Sequence, residues 1–128
     1  MPTRKRNARE PAREHRIENE IIVDAYGQEE QAMGWYYYLD EVLHVPFPAR
    51  CRTARAISPL SIGERVTVTG MAPESECEHE MFVLIRWHDR ALAVPLAQLE
   101  VRGMRGVDAK TREAVADWHY WLDQGYTF

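Results

Sequence analysis

Two stretches, Gly63-Glu-Arg-Val-Thr-Val-Thr-Gly70 and Met81-Phe-Val-Leu-Ile-Arg-Trp-His-Asp-Arg-Ala-Leu-Ala-Val-Pro95, decide the fold of this chain. In the first, valines alternate with polar residues, which is typical of a strand with one buried face. The second holds two apolar runs, 81–87 and 92–94, joined by a tight connection. Residues 96–99 then predict a single helical turn. Short strands with tight hairpins predict an SH3-like antiparallel β-barrel, and such a fold alone assigns no function.

Helices are predicted on both sides of these strands. The first begins near Ala12 and stops at Gly27, because apolar residues recur there at helical spacing. The second covers residues 28–43, and prolines then force an extended strand from Phe47 onward. A third begins after Asp108 as its N-cap. The predicted fold class is therefore α+β, a small SH3-like antiparallel β-barrel packed with two N-terminal helices and one C-terminal helix.

The second predicted helix contains an unusual aromatic run, Trp35-Tyr-Tyr-Tyr38. Four consecutive rings cannot all point inward from one helix. One interpretation is a core residue with an amphipathic rim, in which rings are buried and hydroxyl groups reach polar partners. The other is a platform on which a ligand stacks.

The charge of the chain is unevenly distributed. The 128 residues carry a formal net charge of -4, but residues 1–16 hold six basic and two acidic residues, and the rest is acidic. We expect a flexible basic arm at 1–11 and a single domain at 12–128. An acidic body argues against general nucleic-acid binding, for which the basic arm is the one candidate, and suits a cation or a basic partner.

The cysteine content and the N-terminus predict a cytoplasmic protein. Cys51 and Cys77 are too few for a disulfide scaffold, and we expect reduced thiols. The N-terminal residues contain no apolar segment of the kind found in a signal peptide. No apolar run reaches the roughly 20 residues that a membrane helix needs.

The stretch Pro73-Glu-Ser-Glu-Cys-Glu-His-Glu80 carries the strongest chemical signal. Four acidic side chains occupy alternate positions, so an extended segment would direct all of them to one face; they are Glu74, Glu76, Glu78 and Glu80. Clustered carboxylates repel one another, and Ca²⁺ takes 6–8 oxygen ligands. No stretch matches the EF-hand pattern. The alternative is a solvated acidic loop without a metal.

Further ligands must come from parts of the chain distant from this loop. Asp40 and Glu41 lie at the C-terminal end of the second predicted helix, where the helix dipole disfavours negative charge and a bound cation would relieve it. A zinc site using Cys77 and His79 is a weaker alternative, because the usual ligand spacings are missing. We find no nucleophile motif, phosphate loop or dinucleotide fingerprint, so the sequence offers no case for an enzyme.

Several blocks together resemble one family. They include Glu29-Glu-Gln-Ala-Met-Gly-Trp-Tyr-Tyr-Tyr-Leu39, Glu76-Cys-Glu-His-Glu-Met-Phe-Val83 and Asp117-Trp-His-Tyr-Trp121. The chain from about residue 16 to 128 is similar to the CcbP family of small bacterial calcium-binding proteins. The resemblance implies a non-EF-hand Ca²⁺ buffer or sensor, with Asp40 and the four glutamates of the loop as ligands and Glu41 beside them. Ser75 stands where another acidic residue is expected.

Two functional hypotheses follow from the sequence. The first is a calcium-binding protein whose site lies between Asp40, Glu41 and the acidic loop. The second is an SH3-like protein-interaction module, in which the acidic loop only steers an unidentified protein partner.

Overall fold

The computed structural model of the chain describes residues 8–128, and most of the predicted basic arm, residues 1–7, lies outside the described residues. Three α-helices are formed, α1 (Pro11–Arg16), α2 (Gln28–Val42) and α3 (Ala109–Asp123). The strands are β1 (Phe47–Cys51), β2 (Arg65–Met71), β3 (Phe82–Trp87), β4 (Arg90–Pro95) and β5 (Leu99–Glu100). The α+β class is confirmed. No helix among the described residues is long and apolar enough to cross a membrane.

The five strands form one antiparallel sheet in the order β4-β3-β2-β1-β5. A 3₁₀ turn at Leu96–Gln98 links β4 to β5, as the sequence predicts. The predicted SH3-like barrel is not confirmed, because β4 and β5 lie at opposite edges and the sheet stays open. Strand β5 has two residues and pairs with β1 only, through Arg50 and Cys51. It does not pair with β4, so the sheet is not closed.

The main core lies between the sheet and the two long helices. Trp35 of α2 and Trp118 of α3 are both fully buried, and their rings meet edge to face with centroids 5.0 Å apart. The sheet contributes alternate residues of its strands to the same core, including Phe47, Val68 and Ile85. A buried Trp pair of this kind fixes α2 against α3, and so fixes which face of α2 remains exposed.

The first predicted helix changes character midway. After α1 the chain continues as one π-helical turn, Ile17–Ile21, in which Ile22 N–H donates to the Ile17 carbonyl at 2.9 Å. π turns within helices are rare and frequently occur at functional sites. The chain then reverses through Asp24, whose φ of 59° lies in the left-handed region, and enters α2.

The C-terminal helix begins where the sequence predicts. The Asp108 carboxylate accepts from Thr111 N–H at 2.8 Å, which is the bond of an N-cap. This bond is the first cause of the lowered pKa of Asp108. Cys51 and Cys77 are both buried and form no disulfide. The Cys51 thiol donates to the Thr53 carbonyl, and the Cys77 sulfur accepts from Phe82 N–H.

Candidate functional site

The acidic stretch between β2 and β3 is not extended. Residues Glu74–Glu76 form a 3₁₀ turn, so its four glutamates do not share one face, and the single acidic face expected for an extended segment is not formed. The turn is anchored from inside by Cys77, which is fully buried and accepts from Phe82 N–H at 3.3 Å. Burial raises the pKa of the Cys77 thiol, which keeps it protonated and makes it a structural group.

Two tyrosines of α2 hold the acidic turn against the helix. The Tyr36 hydroxyl donates to the Ala72 carbonyl at 2.7 Å, and the Tyr37 hydroxyl donates to Oε1 of Glu74 at 3.0 Å. The bond to the carboxylate raises the pKa of Tyr37. These contacts agree with the core-and-rim interpretation for Trp35, which fills the core, and for Tyr36 and Tyr37, whose hydroxyl groups reach polar partners. Tyr38 departs from it, because its hydroxyl is buried without a hydrogen-bond partner among the described residues.

An open cleft of about 740 Å³ lies between the start of α2, the segment before it and the acidic turn. Met33 and Gly34 of α2 also line it. Three separate segments contribute carboxylates to its lining: Asp24, Glu29, Glu30, Glu74 and Glu78. We call this the acidic cleft. All five of these residues are exposed, so their charges face water and any ion that enters.

Two of the residues predicted from sequence line the acidic cleft, and a third, Asp40, lies further along α2. Glu74 and Glu78 line the acidic cleft. Exposed Asp40 lies one helical turn beyond Tyr36, and burial is the main cause of the raised pKa of the Tyr36 hydroxyl, to which the negative charges of Asp40 and Glu74 also contribute. Asp40 and Glu74 therefore act on the same hydroxyl group from α2 and from the acidic turn.

The other three predicted residues are not brought into the acidic cleft. Glu41 and Glu76 are exposed outside its lining. Glu80 is half-buried, and both of its oxygens are held by the guanidinium of Arg55, at 2.6 and 3.1 Å. A bidentate ion pair of this kind already neutralises the carboxylate, so metal binding by Glu80 would require the pair to open.

Sequence reasoning missed Asp24, Glu29 and Glu30. The two glutamates lie in the first turn of α2, where they suit the helix dipole, and Glu30 also accepts from Tyr26 N–H at 2.8 Å. The available signal was helical spacing, because residues 29, 33, 36 and 40 lie on one face of α2. Asp24 carried no signal, since its placement depends on the reversal of the chain after the π turn.

The arrangement favours hard cations over zinc. The lining of the acidic cleft offers oxygen donors, which Ca²⁺ prefers, whereas a zinc site needs Cys or His ligands. Cys77 points into the core, and His79 is exposed. Among residues 8–128, no group of three or more His, Cys, Asp and Glu side chains is drawn together closely enough to hold a metal ion. The carboxylates line a common cleft without converging on one point.

The fold and the acidic cleft define a class of protein with an α+β core and an oxygen-rich surface cleft, built without an EF-hand. The model of the Calci_bind_CcbP family, described as calcium binding, matches residues 15–122. The chain belongs to this family of calcium-binding proteins.

Two solved structures are similar to the chain over nearly its whole length. One is the crystal structure of Anabaena CcbP, with 44% sequence identity, a TM-score of 0.82, and coverage of 95% of this chain and 98% of that one. The other is described as a calcium binding protein in the calcium-binding form, with 44% identity, a TM-score of 0.76, and coverage of 94% and 96%. No match was found among curated proteins. The resemblance stated from sequence is thereby confirmed.

Proposed function

We propose that this chain binds Ca²⁺ in the acidic cleft, with Glu74 and Glu78 on one wall and Glu29, Glu30 and Asp24 opposite. The observation that carries the proposal is that two regions distant in sequence, residues 24–30 and 74–78, supply five carboxylates to one cleft. Such a concentration of like charge costs free energy, which a divalent cation relieves. Membership of a calcium-binding family supports Ca²⁺ as the ion.

The carboxylates of the acidic cleft must move towards one point when the ion binds, and the free energy of binding must drive this movement. Ca²⁺ is held at roughly 2.3–2.6 Å by 6–8 oxygens, in flexible geometry. The cleft carboxylates belong to exposed side chains, so rotamer changes can bring them together without repacking the core. Tyr37 limits this freedom at Glu74, because its hydroxyl holds one oxygen and leaves the other available.

Asp40 extends the proposed site along α2. Eleven residues separate Glu29 from Asp40, which corresponds to roughly 16 Å along the helix, so the two cannot contact the same ion. Asp40 lies one helical turn beyond Tyr36, and Asp40 and Glu74 both contribute to the raised pKa of the Tyr36 hydroxyl, so we place the other end of the cation-binding surface there. Glu41, Glu76 and Glu80 remain proposed ligands, with Glu80 available only when its pair with Arg55 opens.

The proposed role is that of a cytoplasmic Ca²⁺ buffer or sensor formed by a single domain from residue 12 onward, without enzymatic activity. Two free, buried cysteines suit a reducing compartment. Calcium affinity should fall in acid, because carboxylates must lose their protons to bind the ion.

A second candidate is a protein-interaction module with an SH3-like arrangement of strands. Val23, which lines the acidic cleft, and Tyr26, which follows the lining residue Ala25, support it, since 52% and 87% of their surface is exposed. A partner that binds this apolar margin equally well with calcium and with chelator would favour the second candidate.

Calorimetric titration with CaCl₂ tests the proposal. We compare the wild-type chain with Glu78→Gln, which removes a cleft charge, and Asp40→Asn, which removes one at the other end. Glu18→Gln is the matched control, because Glu18 is exposed outside the acidic cleft. The proposal predicts weaker binding in the first two variants and unchanged binding in the control. A wild-type chain that releases or absorbs no heat and stays unchanged in Ca²⁺-dependent spectra would contradict it.

A further inference from the structure

The wall of the acidic cleft opposite the acidic turn belongs to the N-terminal segment, which we define as residues 11–25. Val23, Asp24 and Ala25 at its end line the cleft. This segment is not part of the sheet, and it connects to α2 through a turn at Gly27. What holds this wall in place therefore decides how near Asp24 lies to Glu74 and Glu78.

The first anchor is a buried carboxylate on α3. The side chain of Asp117 is completely buried, with 0% of its surface exposed. Arg13 donates to its Oδ1 at 2.7 Å, and Arg16 donates to Oδ1 at 2.8 Å and to Oδ2 at 3.0 Å. A buried charge is tolerated only when it is paired and hydrogen-bonded, so Asp117 depends on both arginines, and both hold α1 against α3.

The second anchor is a close approach between backbones. A Cβ added at Gly34 of α2 would lie 2.5 Å from the carbonyl oxygen of Ile21, the last residue of the π turn. This oxygen belongs to the backbone, so a side chain at residue 34 must displace the N-terminal segment or α2 itself. Gly34 also lines the acidic cleft, which places this contact next to Asp24.

We infer that Asp117 and Gly34 are positioning residues for calcium binding, because they fix the N-terminal segment so that Asp24 faces Glu74 and Glu78 across the acidic cleft. The inference rests on the proposed function of the cleft. Neither residue supplies a carboxylate to it: Asp117 is buried under α1, and Gly34 has no side chain. Their effect on affinity is transmitted through the placement of residues 21–25.

The test uses Gly34→Ala and Asp117→Asn in the full chain. Alanine favours a helix over glycine, so a purely local role would leave Gly34→Ala folded and at least as stable. Gly70→Ala is the matched control, because a Cβ there meets nothing within 4 Å. Gly34→Ala also keeps the inference testable if Asp117→Asn fails to fold.

Two measurements separate anchoring from calcium binding. Hydrogen exchange without calcium reports the anchoring, and faster exchange of amides 17–25 is expected in both variants but not in the control. Titration with CaCl₂ reports the coupling, and we expect affinity to fall about five-fold or more in both. Because Gly34→Ala acts through Asp24, its effect should not add to that of Asp24→Asn in the double variant, as interacting sites are non-additive.

The possible outcomes are distinct. Unchanged exchange in both folded variants, or faster exchange with wild-type calcium affinity, overturns the inference. Full additivity of Gly34→Ala and Asp24→Asn overturns the route through Asp24. A wild-type chain that does not bind Ca²⁺ overturns the proposed function itself, whereas the exchange data still decide whether the two anchors hold the wall.

Discussion

The hydroxyl of Tyr37 donates a 3.0 Å hydrogen bond to Oε1 of Glu74, and this bond joins α2 directly to the acidic turn. Tyr37 is 56% exposed, so its ring contributes little to the core. The contact therefore orients a carboxylate of the proposed calcium site at little cost to the rest of the fold. It also explains why an aromatic residue stands on the exposed side of the helix.

Removing this bond should weaken calcium binding more than it weakens the fold. Tyr37→Phe keeps the ring and deletes the hydroxyl, so the free energy of unfolding should change little, because the hydrogen bond is exposed to water. Calcium affinity should fall several-fold, because Glu74 then samples orientations away from the cleft. Titration and thermal melts measure the two effects. Tyr126→Phe is the control for the same change elsewhere, and equal affinity in both variants would contradict the role given to Tyr37.

Comparing Glu80→Gln with Glu78→Gln should show which carboxylate has a structural role and which one binds the ion. Arg55 and Glu80 are partly exposed, at 36% and 23% of their side-chain surface, so Glu80→Gln should cost up to about 1 kcal/mol of stability. Its effect on calcium affinity should be smaller than that of Glu78→Gln, since Glu80 already has a cationic partner. A larger loss of affinity in Glu80→Gln would show that the pair opens to bind the ion.

His119 of α3 predicts an acid-dependent loss of stability. Burial, followed by the positive charge of Arg52, lowers its pKa from the usual 6.5 to about 4. The folded state thus holds His119 neutral, whereas the unfolded chain takes up a proton below pH 6.5. Stability should therefore fall as the pH decreases from about 6.5 towards 4, by up to roughly 3 kcal/mol from this residue.

Urea unfolding at several pH values measures this effect. His119→Gln should flatten the dependence between pH 6.5 and 4, leaving the part that other groups contribute. An identical pH dependence in the variant and the wild-type chain would mean that His119 is protonated in the folded state without cost.

The elements with clear periodicity were predictable from sequence. The second helix was predicted at 28–43 and is formed at Gln28–Val42, and the strands around residues 65–71 and 82–95 were found by alternation and apolar runs. Asp108 was predicted as an N-cap and acts as one. In each case the structure is determined by residues close together in the sequence, so a local pattern is enough to predict it.

Features that depend on distant contacts were missed. The open sheet was predicted as a barrel, because a local strand pattern does not show whether its edges meet. The π turn at Ile17–Ile21 has the same apolar spacing as an ordinary helix, and the contact of its last carbonyl with Gly34 arises only in the folded chain. The buried ion pairs of Asp117 with Arg13 and Arg16 likewise join residues about a hundred positions apart.

The residues of the candidate site also fall into those that a local pattern predicts and those that depend on distant contacts. The acidic stretch was conspicuous as a local run of charge, and Glu74 and Glu78 do line the acidic cleft. Its other wall comes from Asp24, Glu29 and Glu30, whose relation to the stretch is set by the packing of α2. Pairing of Glu80 with Arg55 was invisible for the same reason, since 25 residues separate the partners.

A crystal structure grown with Ca²⁺, with the ion located by its anomalous scattering, tests the central claim most directly. The account predicts an ion in the acidic cleft, with oxygens of Glu74 and Glu78 and at least one carboxylate of the facing wall at roughly 2.3–2.6 Å from it. Calcium bound only at sites that include none of Asp24, Glu29, Glu30, Glu74 and Glu78 would contradict it.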